Sequence, residues 1–290
     1  MRWRLVSVVA LAAGLLLTAC STGGSSPSTA ASSSGSQQSL IKQIQNRGTL
    51  RLGVDEGKPL MYKDPTSGQW KGYYIDLMAD WAKTLNVSVT DVPTTFGNMV
   101  AALQAGQIDV AVALNPRPAR ALSVVFTQPL TYEVDGFAIL PSKTPGVTSW
   151  SQLNDSRYSV CVFTGSAPDL ALTAMKPNIQ ITRLNNESEC QAALQSGRVN
   201  AFLNAVVDLA TFAAANNGVK IIFPDTPINK SGTAFAIPFG YQYSDILAMN
   251  VEIQAFTDSG QLAASEKANG LANPLDYAIG TIPSYASSSL

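Results

Sequence analysis

Histidine is absent from the 290 residues. That absence removes Ser-His-Asp and Cys-His catalysis and nearly every catalytic zinc arrangement, because each uses an imidazole as base or ligand. Charge is sparse and balanced: 19 Lys and Arg against 20 Asp and Glu give a formal net charge of −1. No basic run interrupts that balance, so nucleic acid is not an expected partner. Cysteine occurs three times, too few for a small disulfide-held scaffold. No cofactor and no metal is implied. What remains, 46% hydrophobic and 13% charged residues, describes an ordinary globular chain with room for two modest domains.

The chain contains one repeat. Residues 101–120 read AALQAGQIDVAVALNPRPAR, and residues 192–206 read AALQSGRVNAFLNAV; the two align without a gap. Each copy begins as the end of an Ala/Leu/Gln helix and passes a glycine, Gly106 or Gly197, placed to close the helix in the left-handed region. Each then enters a short apolar strand, 108–114 or 199–203. Helix, glycine, strand is half of a β-α-β crossover, so two α/β lobes of like construction are expected. Small ligands in such sheets bind outside the carboxyl ends of the strands. The first copy delivers Asn115-Pro116-Arg117-Pro118-Ala119-Arg120 to that place, where the prolines stop the strand and two arginines sit at a cleft edge.

The N-terminus has the plan of a secretory signal. Met1-Arg2-Trp3-Arg4 is basic, residues 5–17 are apolar but short for a membrane span, and Leu17-Thr18-Ala19-Cys20 follows. Small residues before a cysteine at that point resemble the lipobox of bacterial lipoproteins, so residues 1–20 read as a signal peptide with lipobox in which Cys20 is lipidated, becomes the mature N-terminus and serves as the anchor. The alternative is an ordinary signal peptide with an incidental cysteine. Residues 21–39, rich in Ser, Thr, Gly and Ala, read as a flexible tether with a coil dimension on the order of 25 Å. Cys161 and Cys190 then form an even pair in an oxidising compartment, and their disulfide would be worth about 3–4 kcal/mol. The alternative is two buried free thiols.

Along the body, Leu40–Arg47 reads as a short helix and Thr49–Val54 as the first strand. Residues 64–68 (DPTSG) have turn composition, and 75–85 form the clearest amphipathic helix, with Trp81 on its core face. A strand follows at 87–92, and Phe96-Gly97 opens the helix leading into the first copy of the repeat. The shift at residues 136–140, before Pro141, marks the first crossing between lobes. The second lobe repeats the order: strand 158–163, loop 164–168, helix 169–175, strand 179–184, helix 187–195, helix 208–216, strand 219–223. Residues 233–238 read as the return crossing. Helices at 243–256 and 261–269 should pack back on lobe 1, and 271–290 is a tail. The resulting division is 40–136 plus 239–290 for lobe 1 and 137–238 for lobe 2.

This order resembles the solute-binding proteins for polar amino acids that serve ABC importers. The matching stretches are Gly53–Asp55, Tyr62-Lys63-Asp64, Gly68, Gly72, Asp76-Leu77, residues 102–109, Pro118-Ala119-Arg120, residues 126–130, Gly165-Ser166, residues 193–199 and Asp258-Ser259-Gly260. They span about residues 48–270. The cysteine pair of the second lobe also looks like that of actinobacterial members. The resemblance implies a type II periplasmic binding protein fold, two Rossmann-like α/β lobes joined by two crossing strands, with the ligand trapped between them. It implies an extracytoplasmic protein anchored by lipid, with a membrane permease as partner and an amino acid or small carboxylate as ligand.

The resemblance also implies site residues. Arg120 matches the arginine that clamps the ligand carboxylate, a task suited to a guanidinium fork. Asn115 stands for the usual serine or threonine, Phe96 for a site wall, and Ser166 with Ala167 for a loop whose N–H groups face an anion at a helix start. Arg117 reads as a rim charge. The family's ammonium acceptor, however, falls on Ala205, the aspartate before it is Asn200, and its serine helpers are Val112 and Ala113. An ammonium buried without a carboxylate costs several kcal/mol. Either Asp55 or Asp208 substitutes, or the ligand lacks an α-ammonium; a carboxylate other than a standard amino acid and an amino acid stand level. Two other functions stand beside it: the lost acceptor suggests a sensory or scaffolding domain with a decayed site, and the resemblance, through relatives of this fold that have become cyclohexadienyl dehydratases, suggests such an enzyme, against which stands the lack of a general acid around Asn204-Ala205-Val206.

Overall fold

The computed structural model describes residues 37–271. The signal segment with Cys20, nearly all of the tether and the tail from residue 272 lie outside the described residues.

Lobe 1 begins with α1 (Leu40–Arg47), whose N-cap Ser39 accepts from the Lys42 N–H and whose C-cap Gly48 is left-handed at φ 75. Asp245 fastens this helix to the body: its carboxylate accepts from the Ser39 hydroxyl at 2.8 Å and the Leu40 N–H at 2.7 Å. Strand β1 (Thr49–Val54) follows, then a hairpin of β2 (Tyr62–Lys63) and β3 (Trp70–Lys71) closed by the expected Asp64 turn. Helix α2 (Tyr73–Leu85) buries eight residues, Trp81 among them. Next come β4 (Ser88–Pro93), α3 (Met99–Gln104), β5 (Val110–Leu114), the single turn α4 (Pro118–Ala121) and β6 (Val124–Phe126).

Lobe 2 runs β7 (Thr131–Ile139), α5 (Trp150–Leu153), β8 (Ser159–Phe163), α6 (Ala167–Met175), β9 (Gln180–Leu184), α7 (Glu187–Ser196), β10 (Ala201–Ala205), α8 (Val206–Ala215) and β11 (Lys220–Ile222). Strand β12 (Lys230–Pro238) returns to lobe 1, where α9 (Tyr243–Asp258) and α10 (Gln261–Ala268) close the chain.

The two lobes have the same strand order. Lobe 1 is β4-β1-β5-β12-β6 and lobe 2 is β9-β8-β10-β7-β11, three parallel strands followed by an antiparallel visitor and a short edge strand. The repeat is superposed in register: β5 and β10 occupy equivalent positions of its two copies, with Gly106 and Gly197 left-handed before them. Asp109 and Asn200 also correspond. The Asp109 carboxylate accepts from the Arg51 N–H at 2.8 Å, and the Asn200 side-chain oxygen accepts from the Ser159 N–H at 2.9 Å. Each ties the central one of its lobe's three parallel strands, β1 or β8, to the start of the strand beside it, β5 or β10, a task that needs an acceptor and not a charge. Asp109 additionally binds Arg47 and Arg51.

The visitors are the crossings. Thr131–Val134 pairs with Lys230–Thr233, beyond which β7 joins β10 and β12 joins β5 and β6. One nine-residue strand therefore serves two sheets. The change of partner lies before the composition shift at Pro141, because a strand that is buried at both ends carries no mark where its neighbour changes. Lobe 1 has one apolar core around Leu52, Trp81 and Phe235. Lobe 2 packs both sheet faces, one over Phe202 and Leu209, the other over Phe137 stacked on Trp150. Cys161 of β8 and Cys190 of α7 are disulfide-bonded inside the first of these, with Cα atoms 5.5 Å apart.

Candidate functional site

A cavity lies between the lobes at the carboxyl ends of β5, β8 and β10. Lobe 1 contributes Gly57, Leu60, Phe96, Ala113 and Asn115 to its wall, the crossing part of β7 contributes Glu133, and lobe 2 contributes Phe163, Ser166, Ala167, Pro168, Glu187, Asn204, Ala205 and Asp208. Its unfilled space is about 430 Å³ including the mouth, of which about 30 Å³ admits the centre of a water molecule. The lobes are thus drawn together.

Several contacts hold them. Arg120, buried, donates from Nη2 to the Gly165 carbonyl across the gap at 2.8 Å and from Nη1 to the Asn115 carbonyl at 3.0 Å. Burial, then the neighbouring Arg117, lowers its pKa to about 10, so it stays charged. Arg117 crosses too: its Nη2 donates to the Ala167 carbonyl at 2.9 Å and to Asn229 Oδ1 at 2.8 Å. It is a bridge and not a rim charge. Phe96 meets Phe163 with ring centroids 5.6 Å apart. Gly97 and Gly165 bring the two backbones together; a Cβ on Gly165, which is left-handed at φ 75, would lie 2.7 Å from the Gly97 Cα.

Of the residues expected from sequence, Asn115, Phe96, Ser166, Ala167 and Asp208 line the cavity together. Asp55 sits behind Phe96, accepting from its N–H at 2.9 Å and from the Glu56 N–H at 2.8 Å. Arg120 lies beside the cavity but outside its lining, with both terminal nitrogens on carbonyls. Asn115 points its amide at the crossing strands, 3.3 Å from Glu133 Oε2 and 3.1 Å from the Ser231 hydroxyl. Ser166 caps α6 by accepting from the Asp169 N–H. Ala113 is left-handed at φ 54, and the β5–β12 register slips opposite it. That slip turns the chain end toward the cavity.

Two charged residues of the wall were missed. Glu133 lies in the crossing part of β7 and Glu187 at the start of α7; both are buried. With Asp208 they make every charged residue of the lining an acid. Burial raises all three: Glu187 to about 8, helped by Asp55, and Asp208 well above the carboxylate range, helped by Glu187, Glu133 and Asp135. Asp55 is raised to about 6 and Asp135, behind Glu133, to about 8, again chiefly by burial. Asp208 Oδ2 accepts from Asn204 at 3.1 Å, while its buried Oδ1 and Asp135 Oδ2 have no hydrogen-bond partner. The sequence signal for Glu133 was available: residues 133 and 135 share one face of an otherwise apolar strand.

The model of the bacterial extracellular solute-binding proteins, family 3, matches residues 50–267. The chain belongs to this family. A probable amino-acid ABC transporter periplasmic-binding protein of Sinorhizobium fredii is 23% identical over 207 residues, 68% of each chain. An amino acid ABC transporter substrate-binding protein of Streptococcus pneumoniae, bound to L-arginine, superposes with a TM-score of 0.74 at 21% identity, covering 81% of this chain and 100% of that one. An ancestral amino acid-binding protein, precursor of cyclohexadienyl dehydratase, gives 0.72 at 27% identity, covering 80% and 99%. The fold is the two-lobed type II fold of these family members. The family is one of solute-binding proteins, and among the described residues no helix is long and apolar enough to cross a membrane.

Proposed function

We propose that this family member is the receptor of an ABC importer, capturing an amino acid or a related small molecule by closure of lobe 1 (40–136 with 239–290) on lobe 2 (137–238). The observation that carries this reading is a cavity whose wall is divided between two lobes of identical strand order, with the paired strands that join them as its floor. A ligand touching both walls shifts the protein toward the closed population by its differential affinity for that state. Closure then offers the permease one surface composed of both lobes. Anchorage by a lipid on Cys20, with residues 21–39 as tether, fits this role, as does an extracytoplasmic site of action in which the Cys161–Cys190 bond persists.

The enzyme alternative changes its footing. Buried carboxyl groups that keep their protons near neutral pH are suitable general acids, so Asp208 and Glu187 are the candidates for the group missing from Asn204-Ala205-Val206. Charge argues against dehydration of a prephenate-like substrate, because a dicarboxylate entering this cavity meets acids on both walls. We read the protein as a binding protein and not an enzyme. Small-angle scattering of the mature protein against a broad library of amino acids and organic acids tests the reading. A decrease in radius of gyration with one class of compound, at unchanged mass, is expected. A radius indifferent to the whole library overturns the receptor and favours the sensory or scaffolding alternative.

A further inference from the structure

Most of the groups that would hold an anion in this cleft are already engaged, the buried Arg117 Nε being the exception. Both terminal nitrogens of Arg120 donate to carbonyls, and Arg117 spends its Nη2 on Ala167 and Asn229. At the start of α6 two of the N–H groups are taken in the same way: the Gly165 N–H donates to Asp169 Oδ2 at 3.0 Å and the Ser166 N–H to the Phe163 carbonyl at 3.1 Å. No lysine or arginine is among the lining residues. Opposite them stand Glu133, Glu187 and Asp208, backed by Asp135 and Asp55, and two of these carboxylates have an oxygen with no donor although fully enclosed. The Asp208 oxygen belongs to a residue of the cavity wall itself. The rings of Phe96 and Phe163 complete that wall, and aromatic faces attract organic cations.

We infer that the cleft selects small organic cations, molecules bearing more positive than negative groups, with Asp208, Glu187 and Glu133 receiving the ammonium or guanidinium. The inference rests on the receptor reading and names the class of its ligand: a basic amino acid or the amine left by its decarboxylation. Asp208 takes the place vacated by the acid expected at Ala205. It stands three residues further on, in the first turn of α8, which brings a carboxylate back to the same wall. A cation supplies the donor that Asp208 Oδ1 lacks and compensates the mutual repulsion of the three acids. A neutral ligand does neither, since buried carboxylates without a counter-charge are the costly state.

Isothermal titration of the mature protein with arginine, citrulline, agmatine, putrescine and glutamate tests this. Citrulline keeps the shape of arginine and removes its charge; agmatine keeps the charge and removes the carboxylate. Arginine or agmatine is expected to bind about a hundredfold or more tighter than citrulline, with glutamate weaker still, and the ranking of arginine against agmatine and putrescine tells the amino acid from the amine. Because burial raises the Glu187 carboxyl to about 8 and that of Asp208 well above the carboxylate range, cation binding should release protons, seen as a buffer-dependent enthalpy. Asp208→Asn should lower cation affinity at least tenfold while the melting temperature of the empty protein stays level or rises; Glu187→Gln should do the same. Citrulline or glutamate binding as tightly as arginine and agmatine overturns the cation inference and leaves the receptor standing. Silence of the panel, with closure on another compound in the scattering experiment, overturns it equally. A fall in the melting temperature of Asp208→Asn with affinity unchanged marks Asp208 as structural and also refutes the assignment.

Discussion

Raising the pH of the ligand-free protein from 5 to 8 should destabilise its closed form. Asp135 is moved by burial from an ordinary 3.8 to about 8, and Glu187 from 4.5 to about 8. Asp208 and Glu133 move in the same direction, and Asp55 reaches about 6. A carboxyl whose folded pKa lies above its unfolded one holds a proton that the unfolded chain has already released. Stability therefore falls with pH across the interval between the two values, here from about 4 to about 8. Each pH unit corresponds to about 1.36 kcal/mol per group, which gives on the order of 5 kcal/mol for Asp135 and for Glu187 if the lobes stay shut. They need not stay shut, because separation lets water reach Glu133, Glu187 and Asp208 at the cost of the Arg120 and Arg117 bridges. Opening absorbs part of the loss, leaving about 3–5 kcal/mol in all for unfolding. At roughly 2–4 °C per kcal/mol for a body of this size, the melting temperature should fall by about 6–20 °C between pH 5 and pH 8, with a parallel rise in radius of gyration. Tyr73, among the same acids, is pushed well above its ordinary value and stays neutral throughout; Arg117 is lowered but stays charged. Calorimetry over this range is the assay, with Glu187→Gln as control, which should flatten the slope. A melting temperature that is constant or rises from pH 5 to pH 8 refutes the reasoning.

Gly97→Val should hold the lobes apart, since even a Cβ there meets the Thr164 carbonyl oxygen at 3.0 Å; scattering should show an expanded particle with each lobe still folded and ligand affinity down about tenfold or more. Arg120→Ala removes one bridge and leaves the Gly165 and Asn115 carbonyls without their donor, costing about 2–3 kcal/mol of closed-state stability; a melting temperature and affinity equal to wild type would show the bridge to be idle. Loss of the Cys161–Cys190 bond, 29 residues apart in sequence, should cost about 3–4 kcal/mol by loop entropy, read as a lower urea midpoint for the Cys161→Ala, Cys190→Ala double variant.

Much of the fold was written in local patterns. The repeat announced two like lobes, and its glycines fall in the left-handed positions that the helix ends required. Trp81 is in the core, as its helical spacing implied. Short elements were less legible: α5 lies in a polar stretch, and β2 with β3 are two residues each. The cleft was half legible. Asn115, Phe96, Ser166, Ala167 and Asp208 follow strand ends or helix starts, positions that topology alone sends to the gap. Glu133 and Glu187 did not stand out, because an acid in a strand or at a helix start usually faces water or a helix dipole. Their burial comes from the approach of the other lobe, a contact between segments far apart in sequence. The engagement of Arg120 with Gly165 has the same origin.

Glu133 has a second address, on the stretch of β7 where the chain passes from one lobe to the other, and Asn115 reaches from the cavity wall to Ser231 on the strand beside it. On the receptor reading, the element that bends is thus also an element that senses. A substitution that retunes which solute is preferred at Glu133 will inevitably stiffen or loosen the joint, so selectivity and readiness to shut must drift together through evolution.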